Sequence, residues 1–337
     1  MSYTSRLLII QPLHITLAPM EGVVDYLMRE LLTDVSGLDH CVTEFARVTD
    51  TPLSVNAFYR LCPELYHNCQ TRNGTPVTIQ LLGSNPEMMA LSAVKAASLG
   101  TKAVDLNFGC PSRAVNKHKG GAVLLKEPET IYTIVKALRE VLPERIPVTA
   151  KIRLGYDTTE LAVDNACAVE AAGAQGLTVH ARTKVQGYKP PAHWEWIAKI
   201  KEHTRIPVTA NGDIWTVADA ANVVGISGCN RIMIGRGVLR NPLLPLHIKQ
   251  QLTGLSPEQQ WRDSLAMLQR FITLAKSRAD QNSPHPYFIT DSNRYIIGRV
   301  KQWLGMMGKT SDRALVLFQQ IKRLNCSQRI SDTLLNV

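Results

Sequence analysis

Six polar residues, Gln80, Asn107, Lys151, Arg153, His180 and Asn211, stand at or near the ends of short segments rich in Val, Ile and Leu, and Cys110 follows one such segment directly. Amides, an ammonium, a guanidinium, an imidazole and a thiol can hydrogen-bond a ring, balance charge and move protons, provided that the fold brings them together. Taken singly, each has an ordinary reading: a lysine in an ion pair, a core histidine with satisfied nitrogens, a cysteine acting as a small buried hydrophobe. Two corners, Asn211-Gly212-Asp213 and Gly235-Arg236-Gly237, bear glycines, and Arg236 in the second adds a cation, so that together they could hold a phosphate with backbone N–H groups and a guanidinium.

The elements that must position these residues repeat. Eight apolar segments occur in the first 240 residues: HITLAPM (14–20), CVTEFA (41–46), VTIQLLG (77–83), AVDLNFG (103–109), PVTAKIRLG (147–155), GLTVHAR (176–182), PVTANGDI (207–214) and RIMIGRG (231–237). Landmarks at Met20, Glu44, Gln80, Asn107, Lys151, His180, Asn211 and Gly235 are 24, 36, 27, 44, 29, 31 and 24 residues apart, the lengths of strand-plus-helix units. Amphipathic stretches at 86–99 and 127–142 fill two of the intervals, the second with Pro128 suited to a first helical turn. Eight parallel strands, each feeding a helix, close most simply into a (β/α)8 TIM barrel, whose reactive face is the C-terminal end of its strands. The six polar residues and both glycine corners then converge on one mouth. A doubly wound open sheet is the alternative, but no G-x-G-x-x-G follows the first strand.

Three units divide the chain of 337 residues: a leader at 1–12, the barrel at 13–245 and a helical domain at 246–337. Helices alone are expected after Pro242 and Pro245. Ser256-Pro257-Glu258-Gln259 has the form of an N-cap with a capping-box Gln and opens a helix to about Arg278, QNSPHP at 281–286 breaks it, and helices resume at 290–307 and 311–325. The formal charge of +10 is concentrated in this tail, where residues 245–337 hold 13 Lys and Arg against 6 Asp and Glu. Such a concentration points to a polyanion such as RNA, with a solvated basic face as the plainer alternative. The exposed-looking run Lys117-His118-Lys119 admits the same two readings. Seven cysteines without a C-x-x-C pair argue against a disulfide framework, a zinc site and an iron–sulfur cluster, and for a reducing cytoplasm. The run Leu7–Ile10 is far short of the roughly 18 residues of a membrane span, so no membrane partner is expected.

The segments APMEGVVD (18–25), VTEFARV (42–48), IQLLG (79–83), VDLNFGCPS (104–112), GGAVLL (120–125), AKIRLG (150–155), VHARTKVQGY (179–188), ANGDI (210–214) and IGRG (234–237) together resemble the tRNA-dihydrouridine synthases, in family order and over nearly all of the barrel. RVKQWL (299–304) in the tail is similar to the synthase C branch, which implies reduction at uridine 16, with uridines 17 and 20 as alternatives. The resemblance implies FMN held in the barrel, NADPH as reductant with NADH as an alternative, and a D-loop uridine of tRNA as substrate, in a monomeric enzyme without a metal. Pro19, Met20 and Glu21 would contact the flavin, Gln80 and Lys151 its pyrimidine edge, and Asn211, Gly212, Asp213, Gly235 and Arg236 its phosphate side. His180 would stand near the flavin or substrate. Asn107 and Arg153 would face the uracil, while Arg47, Arg299 and Lys322 would meet the RNA. Lys301, two helical positions from Arg299 and so about 200° round the helix, would share that work, one of the two gripping RNA and the other anchoring the barrel.

The implied chemistry makes a specific demand. Hydride arriving at uracil C6 drives charge into the conjugated C4 carbonyl, and C5 must then receive a proton. Cys110 matches the family's proton donor, and a thiol of ordinary pKa about 8.5 is protonated at neutral pH yet gives up its proton readily. A small-molecule FMN barrel oxidoreductase would share the corners and the lysine without needing the basic tail. A tRNA-binding protein without catalysis would not need Cys110, Lys151 and the corners together.

Overall fold

The computed structural model describes residues 12–35, 37–253, 256–279 and 291–337. Most of the expected leader and the break at 281–286 lie outside the described residues. Eight strands, β1 His14–Leu17, β2 His40–Arg47, β3 Val77–Leu82, β4 Val104–Asn107, β5 Val148–Arg153, β6 Gly176–His180, β7 Val208–Asn211 and β8 Arg231–Ile234, pair in parallel in sequence order, and β8 returns to β1 to close a barrel. The expected TIM barrel is the observed one.

Most strands stop short of the apolar segments that announce them. Residues 18–20, 108–109, 212–214 and 235–237 leave the sheet and turn into the mouth. Gly212 and Asp213 show why: both have positive φ, 127° and 51°, which no strand accommodates. Between strands, helices such as Pro86–Ser98 and Pro128–Val141 pack their buried faces outside the sheet. Asn85 caps the first, its side chain accepting from the Met88 N–H at 3.1 Å, and Pro128 opens the second.

The tail contains helices Leu244–Lys249, Pro257–Ser277, Ser292–Met307, Asp312–Ile321 and Ser327–Leu335. The last was not expected, and the fourth ends earlier than the sequence pattern implied. Ser256 caps its helix as expected, accepting from the Gln259 N–H at 3.1 Å, but the Gln259 amide turns forward to Asp263 (2.8 Å) instead of completing a capping box. The tail shares one core with the barrel. Phe271 packs against Tyr295 and Trp303, and the Trp303 indole donates to the Leu239 carbonyl at 2.7 Å. Acidic groups on or beside the helix Tyr26–Val35 meet tail cations: Asp25 with Arg299 (2.5 Å), Glu30 with Arg278 (2.6 Å) and Asp34 with Arg270 (3.4 Å). Part of the tail's positive charge is therefore consumed at the barrel seam.

Candidate active site

Strand register assembles the floor of the mouth. Gln80 pairs laterally with Asp105, Asp105 with Thr149, Asn107 with Lys151, and His180 with both Arg153 and Asn211. Because side chains alternate along a strand, Asp105 and Asn107 share one face of β4, as Thr149, Lys151 and Arg153 share one face of β5. Asn107 donates to Gln80 Oε1 (2.7 Å), Gln80 donates to Asp105 Oδ2 (2.7 Å), and Thr149 donates to Asp105 Oδ1 (2.5 Å). Asn107 Oδ1 accepts from the Gly109 N–H at 3.0 Å, so the floor is tied to the loop bearing Cys110.

The Lys151 ammonium has no hydrogen bond or ion pair among the described residues. Burial, reinforced by Arg153, lowers its ammonium to about 8, against the pull of Asp105. Burial also lowers His180 well below the usual imidazole value, with four cations adding to the effect, so it is neutral at pH 7. Its Nδ1 is buried and has no partner among the described residues.

Cys110 is 8% exposed, in a small cluster with Leu82 and Val115. Burial pushes its thiol up from the ordinary cysteine value, so it remains a thiol through neutral pH. The Cys110 carbonyl accepts from Asn116 Nδ2 (3.0 Å) and the Ala122 N–H (3.1 Å), which fixes the loop. Gly121, at φ 67°, permits this closeness: a Cβ there would lie 2.8 Å from the Cys110 carbonyl oxygen.

Arg153 is buried and spends its guanidinium on the mouth's own loops, donating to the carbonyls of Gly109 (2.8 Å), Thr183 (3.2 Å) and Gly187 (2.9 Å). At the strand-seven corner, Asp213 lies between Arg182, with which it pairs closely, and Arg236 at 3.5 Å. Arg236 stacks over Tyr188 and Trp215, 4.6 and 4.9 Å from the ring centroids. Asn211 donates to the Met233 carbonyl (2.8 Å), joining β7 to β8. Met20 Sδ would lie 3.6 Å from a Cβ at Gly235, so the end of β1 meets the same corner; Pro19 is half-buried beside it and Glu21 exposed.

Two buried polar atoms, His180 Nδ1 and Arg182 Nη1, thus lack partners among the described residues at a mouth ringed by Lys151, Arg153, Arg182 and Arg236. Unpaired buried donors are costly and are normally satisfied. A phosphorylated heterocycle fits them: acceptor-rich at one end and anionic at the other.

The residues expected to meet RNA are dispersed. Arg47 is exposed at the end of β2, and Lys322 is exposed in the tail, its ammonium bonded to Gln319. Lys301 is half-buried. Arg299 faces inward instead: it pairs with Asp25, donates to the Val23 carbonyl at 2.8 Å and to that of Gly22, and is only 14% exposed. Of the two residues 200° apart on the helix, Arg299 is the anchor.

Sequence reading missed Arg182, Asp105, Thr149 and Asn116. Asp105 carried one usable signal, its two-residue spacing from Asn107 on one strand face. Arg182 lay inside a quoted motif but beyond the strand end, where period-2 reasoning stops.

The fold and the gathered polar mouth define a (β/α)8 enzyme with its site at the C-terminal ends of the strands. The sequence pattern of the dihydrouridine synthase family matches residues 16–297. A tRNA-dihydrouridine(16) synthase of Neisseria meningitidis serogroup A is 46% identical over 95% of this chain and 93% of its own, and one of Pseudomonas putida is 45% identical over 95% of each. The structure of histamine dehydrogenase from Rhizobium sp. 4-9 superposes on 77% of this chain and 49% of its own with a TM-score of 0.53 at 14% identity, a likeness of fold alone. The chain belongs to the dihydrouridine synthase family, flavin oxidoreductases that act on tRNA. Among the described residues, no helix is long and apolar enough to cross a membrane.

Proposed function

We propose that this protein reduces uridine 16 in the D-loop of tRNA to 5,6-dihydrouridine, using FMN held in the barrel mouth and NADPH as reductant, with NADH as the alternative. Position 16 is supported by the names of its relatives and by RVKQWL at 299–304. FMN, when bound, supplies hydride to uracil C6. Gln80 and Lys151 would hold its pyrimidine edge, with Pro19, Met20 and Glu21 alongside and the neutral His180 satisfying its Nδ1 on the ring or the substrate. Asn211, Gly212, Asp213, Gly235 and Arg236 would form the phosphate side, to which Arg182 adds a cation.

Cys110 protonates C5. The observation that carries this reading is a buried thiol, pushed toward its protonated form, on a loop pinned at Gly109 and at the Cys110 carbonyl, beside Lys151 and Arg153. Once the proton has left, those two cations lower the cost of the thiolate, which regains a proton from solvent. Asn107 has one N–H to offer a uracil carbonyl. Arg153 acts through Gly109 and Gly187, shaping the opening that the extruded base enters.

Lys301, Lys322 and Arg47 remain as RNA contacts, and Arg299 holds the tail that presents them. We assign 13–245 to catalysis and 246–337 to tRNA binding, in a cytoplasmic monomer without a metal. The test is Cys110→Ala. NADPH-dependent reduction of the bound flavin should proceed at the normal rate while dihydrouridine formation in tRNA falls at least 100-fold. Undiminished tRNA reduction would remove Cys110 as the donor, and protein that neither retains nor rebinds FMN would remove the cofactor.

A further inference from the structure

The hydrogen-bond chain under the mouth has a direction, and its direction is fixed from both ends. At one end stands the backbone N–H of Gly109, which can only donate, so the atom of Asn107 that meets it at 3.0 Å must be the oxygen. Asn107 Nδ2 must then face Gln80, 2.7 Å away, and meet its Oε1. Gln80 Nε2 is left to face Asp105 at 2.7 Å. Side-chain amides can otherwise be turned end for end at little cost; here turning either one sets donor against donor at one of its two links and acceptor against acceptor at the other.

Asp105 ends the chain by accepting twice, from Gln80 and from Thr149. It is 3% exposed, so no solvent is at hand to take over if it fails to accept. We infer that Asp105 is a positioning residue, the acceptor that locks the polarity of Gln80 and Asn107 so that Gln80 presents its remaining N–H to the acceptor-bearing flavin edge and Asn107 presents its own to a uracil carbonyl. Neither remaining N–H has a partner among the described residues. The inference rests on the FMN reading and deepens it: an amide pair of fixed polarity selects a ring edge rich in acceptors and rejects one rich in donors.

Isosteric substitutions separate acceptance from charge and from bulk. In Asp105→Asn, Oδ1 can still accept from Gln80 while Nδ2 donates to the Thr149 hydroxyl, which can accept as well as donate. In Thr149→Val, the carboxylate still accepts from Gln80. Combined, the two leave one polar atom of the new amide unpaired in either orientation, and only the Gly109 N–H still sets the direction of the chain. The full-length chain, stripped of flavin and titrated with FMN by fluorescence quenching, should bind within about three-fold of wild type in each single variant and at least ten-fold more weakly in the double variant, with all four proteins keeping a cooperative unfolding transition well above the titration temperature. Such non-additivity is the signature of coupled neighbours. A double variant no worse than the product of the singles overturns the inference, as does Asp105→Asn alone losing as much as the double, which would make the negative charge the operative feature. Wild-type protein failing to bind FMN would instead remove the cofactor reading beneath it.

Discussion

Arg299 of the tail and Asp25 at the end of the first barrel loop form an ion pair of 2.5 Å, and the same guanidinium takes the carbonyls of Gly22 and Val23. Tyr295 adds a hydrogen bond to Asp25 at 2.6 Å. The loop so clamped continues from Met20 and Glu21. Replacing Arg299 by Ala leaves Asp25 without its cation in a largely buried seam, and should destabilise the protein by about 3 kcal/mol. Urea unfolding reads this directly, and FMN retention should weaken with it. Lys322→Ala should behave oppositely, changing stability by less than about 0.5 kcal/mol and reducing the salt slope of tRNA binding by about 1. If Arg299→Ala is as stable as wild type and loses only tRNA affinity, Arg299 is an RNA contact.

Lys151 gives the site a pH dependence of definite sign. Its ammonium, lowered to about 8 by burial, is charged below that value and neutral above it. Affinity of the flavin-free protein for FMN should therefore fall as pH rises through about 8, and Lys151→Met should lose that limb. Folding responds the other way: between about 8 and the ordinary lysine value the unfolded chain binds more protons, so this group makes the empty protein more stable as pH rises through that window. Fluorescence titrations and urea melts at pH 7 and 9 read the two slopes, and equal affinities at both pH values would exclude Lys151 from the flavin site.

Gly121→Ala should cost roughly 2 kcal/mol, since the position has a left-handed backbone and its new methyl would press on the Cys110 carbonyl. Displacement of the loop should slow tRNA reduction more than flavin reduction by NADPH. Stopped-flow measurement of the two half-reactions separates them, and equal slowing of both would place the damage elsewhere.

Arg182→Met keeps the buried stem and removes the guanidinium that pairs with Asp213 and leaves Nη1 unsatisfied. FMN should dissociate at least ten-fold more readily, and inorganic phosphate should no longer slow FMN rebinding. Phosphate competing equally well with wild type and variant would show that Arg182 serves only to brace the corner.

The barrel was legible because each unit is spelled locally: an apolar run, a polar or glycine end, then a helix, eight times over, several of the helices with their own cap or proline. The mouth followed from topology, since parallel strands bring their ends to one face. The motifs around Cys110, Lys151 and the two corners carried the chemistry. What the linear order could not express is whom each polar group meets. Gln80 and Asp105 are partners across 25 positions, a pair set by strand register, and Arg182 and Asp213 across 31, a pair set by the corners beyond the strand ends. Arg299 makes the point most sharply. A surplus of cations in the tail is a property of composition, but whether a given cation faces RNA or an aspartate 274 residues earlier depends on which helix face packs against the barrel. That packing is chosen by the burial of Phe271, Trp303 and their neighbours in a core continuous with the barrel's, a sum over contacts that no single segment contains.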